Sequence, residues 1–394
     1  MSGTVQTSNF DIYATFQRFL KDDQISPPLA AILSLAESIV KSNAGTMFEL
    51  VQALTDSAEL LKKRTPNPIS LNAGCELFIA FVTLFPHESD NFSELKKELE
   101  QQGRKYATEA ISFRDKIAEL TLGFIKDDSV ILTHSYSRVV MKALLHAHKT
   151  KRISVYVTEA RPRGLGLKTY EALTAAGIPC TVVLDSAVAY VMDSVDFVLV
   201  GSEAVVESGG LINAVGSNQM AIIAKAANKP FYAVAESYKF HRLFPLSQYD
   251  LPTHNPGILA FPSSPQQSPA GDNVLPPGTS SSPVAIADGT PAPAGILSER
   301  TMTAEQIARN PFVDYTRPDL ISLVFSDVGI LTPEGVSQYL VAIVFPKDPV
   351  LWIWYRYHLD CRGESFICKM YRPVWNTARH GELRCCFSEL VTLD

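Results

Sequence analysis

The apolar residues of this 394-residue chain change their spacing near residue 125, and this change limits the possible folds more than any other feature. Between Phe10 and Ile125 they recur at intervals of three and four, which is typical of amphipathic helices. From Ser129 onward, short apolar runs alternate with helix-like segments, as in a parallel sheet with crossover helices. The sequence therefore predicts an α/β protein, with an all-helical domain at residues 1–125 and a Rossmann-like, mostly parallel sheet domain at residues 126–345.

Helices are expected throughout the first domain. Ser26, Pro27 and Pro28 mark a helix start, because serine can accept hydrogen bonds from the first backbone N–H groups and proline is tolerated in the first turn. The apolar faces of such helices ordinarily pack into a core, and one face can also contact a partner. The predicted helices cover residues 10–20, 29–39, 46–63, 70–85 and, as one long helix, 93–124.

Strands alternate with helices in the second domain. Residues 168–176 and 218–227 are predicted crossover helices, and Pro333 begins a closing helix that ends near Val344. Ligands of parallel sheets bind at the carboxyl ends of the strands, so polar residues that follow strands are expected to share one crevice. These residues are Thr133, His134, Ser135, Glu159, Arg161, Asp185 and Gly201 to Glu203. The predicted strands cover residues 130–132, 153–157, 181–184, 197–200, 231–234 and 320–325, the last within an extended segment 314–327 entered through Pro318.

Residues 252–297 differ in composition from both domains. They hold ten of the 25 prolines of the chain and no lysine or arginine. Such a segment buries too little apolar surface to offset its ordering entropy, which predicts a disordered insertion within the sheet domain. A proline-rich recognition ligand is the alternative interpretation.

Residues 346–394 are expected to form an atypical, poorly ordered tail. They contain all three tryptophans and four of the six cysteines, without a sustained period of two or 3.6. A zinc site is the alternative, but the spacings match no standard pattern of paired ligands, and no metal ion is predicted. The residues concerned are His358, Cys361, Cys368, His380, Cys385 and Cys386.

Charge and composition exclude several kinds of partner. The formal net charge of −6 lacks a long block of either sign, which argues against direct nucleic-acid binding. No apolar run reaches the roughly 18 residues of a membrane helix, and the first residues lack the pattern of a secretory signal. Few cysteines precede the tail, so no disulfide framework is expected. These observations predict a protein of the cytosol with reduced thiols and no membrane contact.

Motifs for common cofactors and catalytic centres are missing from the sequence. It contains neither the GxGxxG of dinucleotide sites nor the GxxxxGK[ST] of nucleotide-binding loops, and no GxSxG surrounds a serine. No cofactor is therefore predicted. Arg161, Lys168 and Lys239, with glycines at 201, 209, 210 and 216, could hold a phosphate by charge and by backbone N–H groups. They could equally be surface charges and turn glycines.

Three runs carry a specific resemblance. EARP at residues 159–162, the run at 182–246 that contains VGSEAVVESGGLINAVGSNQMA, and DYTRPDLISLVFSDVGILTP at 314–333 resemble the alpha-subunit family of eukaryotic translation initiation factor 2B in order and spacing. SPPLAAILSLAESI at 26–39 and ISLNAGCELFIAF at 69–81 look most like that subunit. The superfamily also holds the beta and delta subunits and isomerases acting on methylthioribose 1-phosphate and ribose 1,5-bisphosphate. The similarity spans about residues 10 to 344, without the insertion.

The resemblance implies that this chain is not an enzyme. In the isomerases a thiol follows a Thr-His pair and a carboxylate closes an Asn-Gly-Asp triplet, and both serve in proton transfer. The matching residues here are Ser135, a much weaker acid than a thiol, and Gly210, which has no ionisable group. Glu203 or Glu207 could replace the carboxylate only from a different position. An aldose-ketose isomerase acting on a ribose phosphate is the alternative function.

A sugar-phosphate pocket is a second implication of the resemblance. The chain departs from the family pattern at Ala214, where lysine is typical, and at Ser217, where threonine is typical. The expected ligand-binding residues are His134, Ser135, Arg161, Lys168, Glu203, Gly209, Gly210, Asn213, Gly216, Ser217 and Lys239.

A role in translation control is the third implication. The alpha subunits of this family are non-catalytic regulators of a guanine-nucleotide exchange complex that acts in the integrated stress response. They homodimerise through the sheet domain and bridge two sets of beta, gamma, delta and epsilon subunits into a decamer. Their helical domain helps to recognise initiation factor 2 that is phosphorylated on its alpha subunit, and the exposed face of residues 10–63 is the expected contact. A free-standing metabolite sensor is the remaining alternative.

Overall fold

The computed structural model describes residues 10–85, 91–261 and 302–344. Most of the predicted insertion at residues 252–297 lies outside the described residues. The predicted tail at residues 346–394 and its cysteines and histidines lie wholly outside them. The domain boundaries stay a prediction. Within the described ranges, no helix is long and apolar enough to cross a membrane.

Helix α2 lies at the centre of the helical part. It contacts α1, α3, α4 and α5, and most of its side chains are buried. Ser26 is the N-cap residue of α2, as predicted, but its side chain does not cap the helix; its hydroxyl donates to Tyr238 Oη over 3.2 Å. The helices are α1 (Ile12–Phe19), α2 (Pro27–Lys41), α3 (Met47–Arg64), α4 (Ile69–Leu84), α5 (Phe92–Ile111) and α6 (Phe113–Leu122).

The prediction of one long helix at residues 93–124 is wrong in one respect, because the segment forms two helices, α5 and α6, separated at Ser112. The Ser112 hydroxyl donates to the backbone carbonyl of Glu109 over 2.7 Å, and such local bonds compete with the helical ladder. Beyond the break, the Phe113 ring packs against the rings of Tyr106 and Tyr238. These ring contacts join the helical part to the sheet part.

Seven strands form the main sheet, in the order β11-β10-β7-β4-β1-β2-β3. All neighbours pair in parallel except β10 and β11, which confirms the predicted α/β fold with a mostly parallel sheet. The strand order reverses between β1 and β4, where open α/β sheets bind ligands. The strands are β1 (Ser129–His134), β2 (Ile153–Thr158), β3 (Cys180–Val183), β4 (Phe197–Val200), β7 (Phe231–Val234), β10 (Leu323–Ser326) and β11 (Gly329–Leu331). The longer helices of this part are α7 (Arg138–His148), α8 (Gly166–Ala175), α10 (Ser217–Ala226) and α12 (Pro333–Val344), and α9 (Val188–Val191) and α11 (Ala304–Ala308) are short.

A second sheet was not predicted. Its order is β8-β5-β6-β9, with β5 (Ala204–Val206), β6 (Leu211–Ala214), β8 (Phe240–His241) and β9 (Val313–Thr316). The extended segment predicted at residues 314–327 is therefore wrong as one strand, because β9 and β10 belong to different sheets. Pro318 begins a 3₁₀ turn between them, and proline has no N–H to donate to a sheet ladder.

A buried carboxylate, Glu236, connects the helical part to the main sheet. It follows β7, and its two oxygens lie 3.0 Å from Arg114 Nε on α6 and 2.9 Å from Lys239 Nζ. Tyr238 Oη donates to the same carboxylate over 2.9 Å and accepts from Ser26 at the start of α2. Burial alone would raise the pKa of Glu236, but the charges of Lys239 and Arg114 outweigh it and lower the pKa to about 2.

We expect Glu236→Gln to lower the free energy of unfolding by about 3 kcal/mol at pH 6, because it leaves two buried cations without their anion. The pKa of Glu236 lies below its unfolded value, so its stabilisation is complete above about pH 4.5 and is lost as the pH falls toward 2. The difference between variant and wild type, measured by urea unfolding, should therefore shrink below pH 4.5. Glu305→Gln is the matched control, since the exposed Glu305 pairs with Arg309 at 2.6 Å. Equal effects of the two substitutions would contradict the role given to Glu236.

Candidate functional site

Loops from several strands meet at the carboxyl end of the main sheet, and Asp185 ties two of them together. Asp185 follows β3, and its carboxylate accepts the backbone N–H groups of Ala160 over 2.9 Å and Arg161 over 2.8 Å. Gln219 on α10 donates to the Asp185 carbonyl over 3.3 Å. The loops after β2 and β3 and helix α10 thus meet at this edge of the sheet, and we call the region between them the crevice and place the candidate ligand there.

Two of the predicted phosphate-binding cations lie at the solvent side of this crevice. The Arg161 guanidinium is half exposed and lies 3.7 Å from the Glu159 carboxylate. The Lys168 ammonium on α8 lies 4.3 Å from the centre of the Tyr136 ring. A cation over an aromatic face keeps its charge, so Lys168 remains able to attract an anion.

His134 is a buried structural element of the crevice wall. Its Nδ1 lies 2.6 Å from Thr158 Oγ1 and its Nε2 lies 2.9 Å from the Val215 carbonyl. A carbonyl only accepts, so we assign the proton to Nε2, and Nδ1 accepts from the threonine hydroxyl. Burial lowers the pKa of His134, and the opposing effect of the Asp185 charge is smaller. The ring is therefore neutral near pH 7. Both ring nitrogens are occupied, so the histidine holds the loop before α10 in place.

The loop before α10 requires glycine at residue 216. Its φ of +109° is unfavourable for other residues, and a Cβ there would lie 2.9 Å from His134 Cε1. The buried Asn213 and Ser217 bond to each other, with Asn213 Nδ2 donating to Ser217 Oγ over 3.0 Å. Ser217 Oγ in turn donates to the Ala214 carbonyl over 2.8 Å. These two side chains therefore support the loop from within.

Asp314 on β9 occupies the N-terminus of α10. Its Oδ2 accepts the backbone N–H groups of Gly216 over 2.7 Å and Asn218 over 3.1 Å. Burial raises the pKa of Asp314 to about 7, against these two N–H groups, which favour the ionised form. A carboxyl group of the protein itself therefore uses the backbone donors that we expected a phosphate to use.

Gly210 leaves no room for a side chain, at the position where the family resemblance implies a carboxylate in the isomerases. A Cβ at Gly210 would lie 2.4 Å from Tyr315 Cε2 and 2.9 Å from the Thr316 carbonyl oxygen. Gly209 is equally restricted, with a φ of +82° and the Pro333 backbone in the place of a Cβ. Tyr315 thus fills the space of the missing group.

The remaining predicted residues have other contacts. Lys239 Nζ donates to the Ser202 carbonyl over 3.0 Å and pairs with Glu236, so its charge is neutralised within the protein. Glu203 is half-buried at the start of the hairpin formed by β5 and β6. Ser135, directly after β1, has a φ of +59°, and its carbonyl accepts from Thr169 over 2.6 Å. Contacts therefore link His134, Asn213, Gly216 and Ser217 around the loop before α10, whereas Arg161 is linked to Asp185 and Lys239 to Ser202.

Asp314 and Thr158 were not among the predicted site residues. Asp314 lies 96 to 98 residues after its partners in α10, and Thr158 lies 24 residues after His134. No local sequence pattern predicts contacts between residues that are so far apart in the chain. Asp314 falls within the quoted DYTRP run, which was the only available sign. Among the described residues no cluster of metal-binding side chains is present.

Comparison with known proteins gives a consistent set of relatives. The chain matches the Initiation factor 2 subunit family over residues 23–333. It is 36% identical to the translation initiation factor eIF2B subunit alpha of Dictyostelium discoideum, over 85% of this chain and 97% of the relative. It is 32% identical to the subunit of the same name from Caenorhabditis elegans, over 84% of this chain and 97% of the relative. A ribose 1,5-bisphosphate isomerase of Archaeoglobus fulgidus is 31% identical over 52% of this chain and 67% of its own length.

Two solved structures are similar in fold. A chain of the tetrameric eIF2B-beta2-delta2 complex from C. thermophilum has a TM-score of 0.60 at 17% identity, covering 87% of this chain and 100% of its own. The Pyrococcus horikoshii OT3 translation initiation factor eIF-2B has a TM-score of 0.56 at 18% identity, covering 82% of this chain and 97% of its own. At these identities the likeness concerns the fold alone.

Proposed function

Because the chain belongs to the Initiation factor 2 subunit family, we propose that it is a non-catalytic regulatory subunit of the translation initiation factor 2B guanine-nucleotide exchange complex. The observation that carries this proposal is the similarity to two eIF2B subunit alpha proteins, each covered over 97% of its length. The proposed partners are the beta, gamma, delta and epsilon subunits. The complex would act in the cytosol, where initiation takes place.

The site supports a binding function over catalysis. Ser135 replaces the thiol and Gly210 replaces the carboxylate of the isomerases, and Tyr315 occupies the space beside Gly210. Because glycine has no side chain, no change of side-chain conformation can place a carboxylate at Gly210. The runner-up, an isomerase acting on a ribose phosphate, is favoured by the similarity to the archaeal isomerase.

We place the homodimer contact at the apolar strip, defined as Phe244, Leu246, Tyr249, Leu259 and Phe261. Each of these side chains is more than half exposed. Large exposed apolar patches mark contact sites with other molecules. The strip follows β8 of the second sheet, so a second copy would dock beside the sheet part, as the family resemblance implies.

The exposed face of residues 10–63 is the proposed contact for initiation factor 2 phosphorylated on its alpha subunit. Lys41 at the end of α2 and Lys63 near the end of α3 are exposed on this face. A phosphorylated factor carries additional negative charge, which exposed lysines attract. The helical part would thus read the phosphorylation state.

The crevice at the carboxyl end of the main sheet is proposed to bind a sugar phosphate. Arg161 and Lys168 supply cationic groups at its mouth, and His134, Gly216 and Ser217 hold its wall in place. Binding there would stabilise the fold and could report on metabolite level.

We expect Phe244→Asp combined with Leu246→Asp to convert a dimer into a monomer in sedimentation equilibrium, because two buried carboxylates would be placed in an apolar contact. Phe48→Asp is the control, since Phe48 on α3 is 80% exposed but lies outside the strip. A wild-type monomer, or a dimer that survives the double substitution, would show that this surface does not hold two copies together.

Charge reversal of Lys41 and Lys63 to glutamate should weaken the preference for the phosphorylated factor, because like charges repel the phosphate. A pull-down of the assembled complex with phosphorylated and unphosphorylated initiation factor 2 measures that preference. Lys97→Glu, an exposed lysine on α5, is the control for a general change of charge. Unchanged discrimination by the double variant would refute the assignment.

Millimolar pentose or hexose monophosphates should raise the melting temperature of the purified chain by mass action, corresponding to about 2.7 kcal/mol at a hundredfold excess over the dissociation constant. Arg161→Ala should remove most of this shift. Arg309→Ala is the matched control, because both guanidinium side chains are 49% exposed and paired with a glutamate.

The same samples test catalysis. Ribose 1,5-bisphosphate incubated with the wild-type chain should yield no ketose product. Turnover would favour the isomerase, whereas the absence of any thermal shift with every sugar phosphate would reject the binding function.

A further inference from the structure

Two arginines hold the backbone of the α1–α2 loop, which we define as residues 20–26. Arg138 at the start of α7 donates to two carbonyls of this loop, and Arg114 on α6 donates to the carbonyl between them. A guanidinium group forms stronger hydrogen bonds than a neutral donor, so these contacts fix the path of the loop. The accepting carbonyls are those of Asp23 at 2.8 Å and Ile25 at 3.0 Å from Arg138 Nη1, and that of Gln24 at 3.0 Å from Arg114 Nη2.

The two arginines differ in what fixes their own position. Arg114 is buried and pairs with Glu236, so it is held by the junction of helices and sheet. Arg138 is only partly buried, and it directly follows the loop after β1, residues 135–137, which we call the β1 loop. The position of the Arg138 guanidinium therefore depends on the β1 loop.

Both ends of the β1 loop contact other elements at the carboxyl edge of the main sheet. The Ser135 carbonyl accepts from Thr169 of α8 over 2.6 Å. Ser137 packs so closely against Gly201, which follows β4, that a Cβ at Gly201 would overlap Ser137 Oγ. A displacement at this edge of the sheet is thus transferred to the β1 loop and to Arg138.

Helix α1 has few directional contacts of its own. It is only eight residues long, and its buried Ile12 and Phe16 pack into the core of the helical part. Apolar packing is non-directional, so it holds α1 against α2 without fixing its orientation. The ion pair of Arg18 with Glu37, at 2.6 Å, is exposed on the arginine side and contributes little. The bonds to the α1–α2 loop are therefore the main directional constraint on the end of α1.

We propose that Arg138 is a positioning residue that orients α1 within the contact face of residues 10–63, under the control of the β1 loop. The β1 loop moves Arg138, Arg138 moves the carbonyls of the α1–α2 loop, and the end of α1 follows. This inference rests on the proposed contact of that face with the phosphorylated factor and deepens it, because it names what regulates the face.

The first test is hydrogen exchange on the full chain. Arg138→Ala should speed exchange of the hydrogen-bonded amides of residues 20–26 by about tenfold, because two bonds from a charged donor are lost. Lys151→Ala is the matched control, since Lys151 also donates to two carbonyls, those of Leu122 and Ile125, outside this face. It should leave residues 20–26 unchanged. Equal exchange of this loop in Arg138→Ala and wild type would overturn the inference.

A double-mutant cycle tests the control by the β1 loop. Gly201 has no positive φ, so Gly201→Ala fits the backbone and acts by pushing on Ser137. It should speed exchange of residues 20–26 in wild type and add nothing to Arg138→Ala, because the transmitting contact is then absent. Gly123→Ala is the control, since a Cβ there has no neighbour within 4 Å.

An effect of Gly201→Ala that persists in the Arg138→Ala background, or no effect in wild type, would overturn the control by the β1 loop. If Gly201→Ala does not fold, Thr169→Val takes its place in the cycle. It removes the bond to the Ser135 carbonyl at the other end of the same loop.

The last measurement links the contact to recognition. In a pull-down with the assembled complex, Arg138→Ala should reduce the preference for phosphorylated over unphosphorylated initiation factor 2 by about threefold, and Lys151→Ala should not. A preference that is unchanged in Arg138→Ala despite faster exchange would overturn the inference and leave the proposed function intact. A wild-type complex without any preference would reject the proposed recognition, whereas faster exchange in Arg138→Ala would still support the orientation of α1 by Arg138.

Discussion

The position of the helices relative to the sheet depends on one buried carboxylate, that of Glu236. Taking a carboxylate and two cations out of water is costly, and the cost is recovered only when the partners are held at bonding distance. Arg114 on α6 contacts Glu236 directly, and Ser26 at the start of α2 contacts it through Tyr238. Arg114 also donates to the Gln24 carbonyl over 3.0 Å, so the loop before α2 is fixed by the same group. Helix α6 also packs against β10 of the main sheet.

The pairing of Lys239 with Glu236 changes the interpretation of the crevice. A lysine after a central strand suggests a phosphate ligand, yet its ammonium lies 2.9 Å from a carboxylate and 3.0 Å from the Ser202 carbonyl. Its charge stabilises the junction between helices and sheet. Of the three cations predicted to bind phosphate, Arg161 and Lys168 are the two that do not pair with Glu236.

The sequence was sufficient for the features that depend on local pattern. Alternating apolar runs predicted the strands of the main sheet, and the loops after β1, β2 and β3 were correctly placed at its carboxyl end. The second sheet was missed because β9 pairs with a strand about 100 residues earlier, and no local pattern reports that pairing. The hairpin of β5 and β6 had a recognisable signal, a Ser-Gly-Gly turn between two apolar runs. The contact between Arg114 and Glu236 spans 122 residues, and no periodicity reports such a pair.

Carboxylates organise the whole carboxyl edge of the sheet by accepting backbone N–H groups. Asp185 holds the loop after β2, Asp314 holds the start of α10, and Asp327 accepts the backbone N–H and the hydroxyl of Ser237, both over 2.7 Å. These backbone N–H groups thus bind carboxylates of the protein itself. In an enzyme of this fold, such groups could instead bind an anionic substrate. An edge built in this way repels anions in general, so a phosphate can bind only where a cationic side chain outweighs the local carboxylates.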